Sequence, residues 1–283
     1  MKEPTYILAD NELSQTIKQP IIHAGEHARD IMDWMIKTGH LKDEYTKPDN
    51  ITFITAHNYV DDELGSAESK LHRHNQLYEL EDGRKVSIFE KSLIHLGIGT
   101  PVVLSKPVCG HHITDEAMIE KYGMYAHLMK EQWILEYLEN NEHTELTMWC
   151  DAGDVIFKDD PQKIIDIFYG YDCDMLFMGT TFKQGNKGGF HSEWGVEAMG
   201  HPDNQFGYYL NCGVCIGKTE FMIDILQKAI SYKDDKRFTQ HPPEAPEHLK
   251  MADDQEIFRH LHPMYYPKIR VDNKDDRRLA WRY

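Results

Sequence analysis

Two carboxylates placed three residues apart, Asp151 and Asp154, close the apolar run of "MWCDAGDVIF". An unpaired buried carboxylate is costly, so these acids must be solvated, neutralised or bound to a cation. Gly153 lets the chain turn tightly between them. Two carboxylates converging on a turn suit a hard divalent ion such as Mg²⁺ or Mn²⁺, whose other positions are filled by phosphate oxygens and water. By spacing alone, the pair reads equally as a cation site and as a capped, solvated turn.

The elements that must carry this turn alternate. Strand-like runs stand at "ITFITAHN", "KVSIFE", "PVVLSK", "TMWC", "DMLFMGTTF" and "YYLNCGVCIG". Helical patterns stand at "DPQKIIDIFYG", "KTEFMIDILQKAI", and from a Thr114 cap to about Asn140. This alternation predicts an α/β fold with a mostly parallel central sheet flanked by helices. In such sheets ligands lie outside the carboxyl ends of the strands, which is where Asp151 and Asp154 fall. Residues 1–50 read as an N-terminal helical extension, with Ala28, Ile31, Met32 and Met35 on one helical face and Gly39 as its stop. Residues 51–283 read as the main domain.

The chain has 283 residues and is 41% hydrophobic, with 31 Lys+Arg against 47 Asp+Glu, a net charge of −16. That charge weighs against a protein that coats nucleic acid. The opening segment lacks an apolar signal core and no membrane-length apolar run follows, so a cytoplasmic protein is expected. Five scattered cysteines argue against a disulfide framework. Cys212 and Cys215 form a C-x-x-C inside a strand-like run, and a structural role outweighs zinc or redox chemistry there.

Three other segments carry chemistry. Asn211 lies amid small residues in "YYLNCGVCIG". Asp253 and Asp254 open a helix in "MADDQEIF". "KGGFHSEWG" joins glycines to Trp194. In this order, with "ITFITAHN" and "CDAGDVIFKDDPQKII", the chain from Ile51 to Trp281 resembles the glycosyltransferase domain of the procollagen lysyl hydroxylases and collagen galactosyltransferases. The resemblance spans about four fifths of the sequence. It implies a GT-A (Rossmann-like) fold that binds Mn²⁺, or Mg²⁺, and a UDP-sugar or similar nucleotide-sugar donor. Asp151 and Asp154 would hold the metal against the donor diphosphate, Thr55 would contact the nucleoside, and Trp194 would lie near the transferred sugar. Asn211, Asp253 and Asp254 would line the sugar and acceptor side.

The chain departs from that family twice. Gly153 stands where an aromatic residue would stack on the base. The family's downstream metal-binding histidine also has no counterpart before Tyr283, which leaves His260 and His262 as the nearest candidates in sequence, each with a packing role as the simpler reading. Adjacent side chains in an extended segment point opposite ways, so His111 and His112 are expected to be weaker candidates. The resemblance implies transfer of a sugar to a hydroxyl. The leading acceptor is a hydroxymethylated pyrimidine in DNA, with the short basic terminal segment as its local support. The alternatives are a protein hydroxylysine, a glycan, a lipid precursor, or a catalytically inactive GT-A binding module.

Overall fold

The computed structural model describes residues 19–24, 27–41, 44–57, 77–105, 126–180, 209–238, 252–272 and 279–282. Its centre is a six-stranded sheet. In chain order the strands are β2 (Ile51–His57), β5 (Val102–Ser105), β6 (Leu146–Cys150), β8 (Met175–Thr180), β9 (Tyr209–Lys218) and β10 (Ile269–Val271), and in space they run β10-β8-β9-β6-β2-β5. Pairing is parallel for β10–β8, β6–β2 and β2–β5, and antiparallel on both sides of β9. The sheet is therefore mixed, with β9 as its reversed strand, where the alternating pattern had suggested parallel elements. A strand's apolar pattern reads the same in either direction, so its sense lies in the connections rather than in the residues.

Successive residues of each strand serve opposite faces. Phe53, Met148 and Leu176 join one apolar cluster, and Ile54, Trp149 and Phe177 the other. The first face is covered by α1 (Ala28–Thr38), α2 (Ile88–His95) and α4 (Pro161–Tyr169). The second is covered by α3 (Ala126–Asn140), α5 (Thr219–Ile230) and α6 (Asp254–Tyr265). Helix α1 buries Ala28, Ile31, Met32 and Met35 and ends at Gly39, whose φ of 74° is the left-handed C-cap that glycine adopts without a Cβ penalty.

"KVSIFE" is the local departure from the pattern reading. Only Lys85–Val86 (β4) is extended, paired with β3 (Tyr78–Glu79), and Ser87 then starts α2. Ser87 and Glu90 form a reciprocal capping box: Glu90 N–H donates to Ser87 Oγ, and Ser87 N–H donates to Glu90 Oε2 at 2.8 Å. Two orphan donors are satisfied locally, and this overrides the β-propensity of Ile88 and Phe89.

A second sheet of three strands lies beside the first. Its central strand β1 (Ile21–His23) runs antiparallel to β7 (Val155–Phe157) and parallel to β11 (Ala280–Arg282). Segments near the two ends of the chain thus meet next to the strand that follows the Asp151–Asp154 turn. Among the described residues, no helix is long and apolar enough to cross a membrane.

Candidate metal centre

Strand β6 delivers Asp151 at its carboxyl end, and the turn 151–154 hands the chain to β7. The register between β1 and β7 sets His23 opposite Val155, and Ala24 N–H donates to Asp154 O at 2.7 Å. His23 is thereby brought onto Asp154, with Nε2 3.4 Å from Oδ2. One ligand atom from each of His23, Asp151 and Asp154 falls within 4.8 Å of the other two. The two acids are partly open, at 34% and 23% side-chain exposure, while His23 is 5% exposed. This is a backed cluster with an accessible acidic face.

Beneath it, β9 bulges. Phe177 pairs with Cys215 while the next residue of β8, Met178, pairs with Asn211, so Cys212–Val214 bow out of the β8 ladder. The bulge turns the Gly213 carbonyl toward Asp151, whose N–H it accepts at 2.8 Å. It also brings Gly213 under the His23 ring: a Cβ there would lie 2.6 Å from His23 Nε2 and 2.9 Å from Asn211 Oδ1. Only glycine leaves that space.

The oxygen and nitrogen donors of His23, Asp151 and Asp154 fit a divalent ion of the Mn²⁺ or Mg²⁺ type. The His23 Nδ1 atom is buried and has no hydrogen-bond partner among the described residues, and the ring's opposite nitrogen faces Asp154. The third protein ligand implied by this cluster comes from upstream, in the segment read from sequence as an extension. His260 and His262 lie elsewhere. His260 packs against Tyr232 and Phe238, and the buried His262 packs against Tyr266.

On the far side of Asp151 stands Lys130, from α3. Its ammonium lies 2.9 Å from Asp151 Oδ1, 3.7 Å from Asp254 Oδ2 and 3.5 Å from Glu131 Oε1, and it donates to Cys212 O at 3.4 Å. Burial alone would depress this ammonium. Asp151 first, then Glu131 and Asp254, outweigh it and hold the lysine well above its ordinary value. Burial drives the Glu131 carboxyl the other way, well above the usual range, against the pull of Lys130. Neither residue carried a signal in the sequence beyond a helical pattern.

The remaining sequence candidates are placed as follows. Thr55 is fully buried in β2 and donates to Cys150 O at 2.9 Å, one residue before Asp151. Asn211 accepts from Gly213 N–H at 2.9 Å and donates to Gln255 Oε1 at 3.2 Å, which ties the bulge to α6. Asp253 is the N-cap of α6, accepting from Gln255 N–H at 3.1 Å, and Asp254 faces Lys130. Trp194, His111 and His112 lie outside the described residues, as does Cys109. Cys150, Cys212 and Cys215 are buried free thiols, pushed well above their ordinary values by burial, which suits packing rather than redox or metal chemistry.

No family model and no curated protein matches the chain. Among solved structures it is similar to the crystal structure of 4-diphosphocytidyl-2C-methyl-D-erythritol synthase from Anaerococcus prevotii DSM 20548. That similarity has 12% identity and a TM-score of 0.37, over 84% of this chain and 91% of that one. Fold and site together define an α/β protein with a mixed sheet, helices on both faces, and a His/Asp/Asp cluster able to hold a metal ion at the sheet's carboxyl edge.

Proposed function

We propose that this protein is a metal-dependent glycosyltransferase that moves a sugar from a nucleotide-diphosphate donor, a UDP-sugar first, to an acceptor hydroxyl. The observation that carries the reading is the convergence of His23, Asp151 and Asp154 at the carboxyl edge of the sheet, within 4.8 Å. A divalent ion held there supplies positive charge against the departing diphosphate. In the reaction, the bond from the anomeric carbon to the diphosphate oxygen breaks and a bond to the acceptor oxygen forms. The acceptor's proton leaves to a base. Asp254, whose Oδ2 lies 3.7 Å from the Lys130 ammonium, is our candidate to take that proton or to stabilise positive charge on the sugar. Asp253 and Asn211 support it by capping α6 and by fixing the β9 bulge.

The first acceptor to assay is a hydroxymethylated pyrimidine in DNA, with protein hydroxylysine, glycan and lipid hydroxyls as parallel arms. Net charge of −16 requires DNA to be held by a local groove rather than by the overall field. The decisive test titrates purified protein with Mn²⁺ by electron paramagnetic resonance and follows donor hydrolysis without acceptor. Wild type binds Mn²⁺ and cleaves the donor slowly. Asp151→Ala, Asp154→Ala and His23→Ala each weaken Mn²⁺ binding. Wild type that ignores Mn²⁺, or Asp variants indistinguishable from it, would sink the reading.

A further inference from the structure

We propose that Lys130 is the positioning residue that sets the separation between the cation side and the sugar side of this site. The assignment rests on the metal-dependent reading above and extends it to a residue in no candidate set drawn from sequence. Three separate elements carry the site: the turn after β6, the β9 bulge and the start of α6. One ammonium reaches all three, through Asp151 Oδ1 at 2.9 Å, Cys212 O at 3.4 Å and Asp254 Oδ2 at 3.7 Å. Among the described residues, no single backbone hydrogen bond joins all three.

The lysine is fixed rather than floating. Its side chain is 14% exposed, and the neighbouring Leu128, Met129, Ile134 and Leu135 of α3 are buried. Glu131, with no exposure, flanks the ammonium at 3.5 Å. An ammonium is a compact point charge with three donors, so it can serve acceptors on several sides at short range. Without it, Asp151 and Asp254 would repel across the gap, and Asp254 would lose its fixed distance from Asp151. A reacting group displaced by about 1 Å can lose on the order of 100-fold in rate. Cation binding does not need Lys130, because the ammonium opposes a second cation at Asp151.

The test pairs metal affinity with turnover. Lys130→Met should bind Mn²⁺ as tightly as wild type, or up to about tenfold tighter as the opposing charge disappears, while donor cleavage falls by about 100-fold or more. Lys130→Arg restores the charge but not the compact geometry, so it should melt like wild type yet stay at least about tenfold slower. Combining Lys130→Met with Asp254→Asn should lose less than the product of the two single losses, since part of each acts through their shared contact.

Loss of Mn²⁺ affinity in Lys130→Met, turnover within about twofold of wild type in either folded lysine variant, or rate losses that multiply in the double variant would each overturn the assignment. Should the methionine variant fail to fold, the arginine variant decides alone by the same turnover criterion. Wild type that neither binds Mn²⁺ nor cleaves donor overturns the functional reading and this assignment with it, which separates that failure from one seen in the variants only.

Discussion

His23 reaches Asp154 only because position 213 has no side chain, and this gives a test at the scale of one methyl group. A Cβ on Gly213 would stand 2.6 Å from His23 Nε2 and 2.7 Å from Cδ2, both on a ring held by strand pairing rather than at the tip of a flexible chain. Gly213→Ala should therefore push the imidazole off the acids and weaken Mn²⁺ binding by about 10- to 100-fold, the range for losing support of a metal ligand. Calorimetric Mn²⁺ titration checks it, and unchanged affinity would remove His23 from the ligand set. Glu131 gives a second test. Burial raises its carboxyl, so above the ordinary glutamate value of about 4.3 the unfolded chain releases a proton that the folded chain keeps. Stability then falls as pH rises toward the folded-state value. Glu131→Gln should abolish that slope, so its melting temperature exceeds that of wild type near neutral pH and the two converge toward pH 4. Parallel melts that never converge would refute the raised Glu131 carboxyl.

Helix starts separate two roles that sequence leaves merged. "ADDQ" reads both as an acidic cap and as a pair of catalytic acids, and the structure gives its two acids different partners. Asp253 spends an oxygen on Gln255 N–H, while Asp254 turns to Lys130. Asparagine caps as well as aspartate. Asp253→Asn should therefore keep wild-type stability, whereas Asp253→Ala costs about 1 kcal/mol; urea denaturation measures both. Donor cleavage in the same variants should stay near wild type for Asp253→Asn and fall steeply for Asp254→Asn. The helices themselves were legible. The apolar face of α1, the Gly39 stop and the Asn140 end of α3 all follow from a 3.6-residue period and cap chemistry. The start of α2 was hidden because Ser87 and Glu90 act as a pair, and a strand-like run masks them when read singly.

At the scale of the whole molecule, the sequence exposes what is local and conceals what closure creates. Asp151 and Asp154 stand in one short motif and could be named from it. His23 could not, because its approach depends on β1 lodging between β7 and β11, a long-range pairing that no period or spacing announces. That closure has a fastening of its own in Asp272, fully buried just after β10. Its Oδ1 accepts from Tyr171 OH at 2.5 Å, and its Oδ2 accepts from Leu279 N–H at 2.7 Å, the residue that leads into β11. Strand β11 then holds β1, and β1 holds His23. Leaving a buried donor unsatisfied costs about 1–3 kcal/mol, so Asp272→Ala, which orphans the Tyr171 hydroxyl and the Leu279 N–H, should destabilise the fold by about 3 kcal/mol. The same change should weaken Mn²⁺ binding although it touches none of the ligands, because a loosened β11 lets β1 and its histidine drift from the acids. Tyr171→Phe removes only the Oδ1 contact and leaves the Leu279 bond that anchors β11. It should cost about 1–2 kcal/mol and leave Mn²⁺ affinity near wild type. Equal losses of affinity in the two variants, measured by Mn²⁺ titration below their melting temperatures, would show that β11 does not transmit the effect.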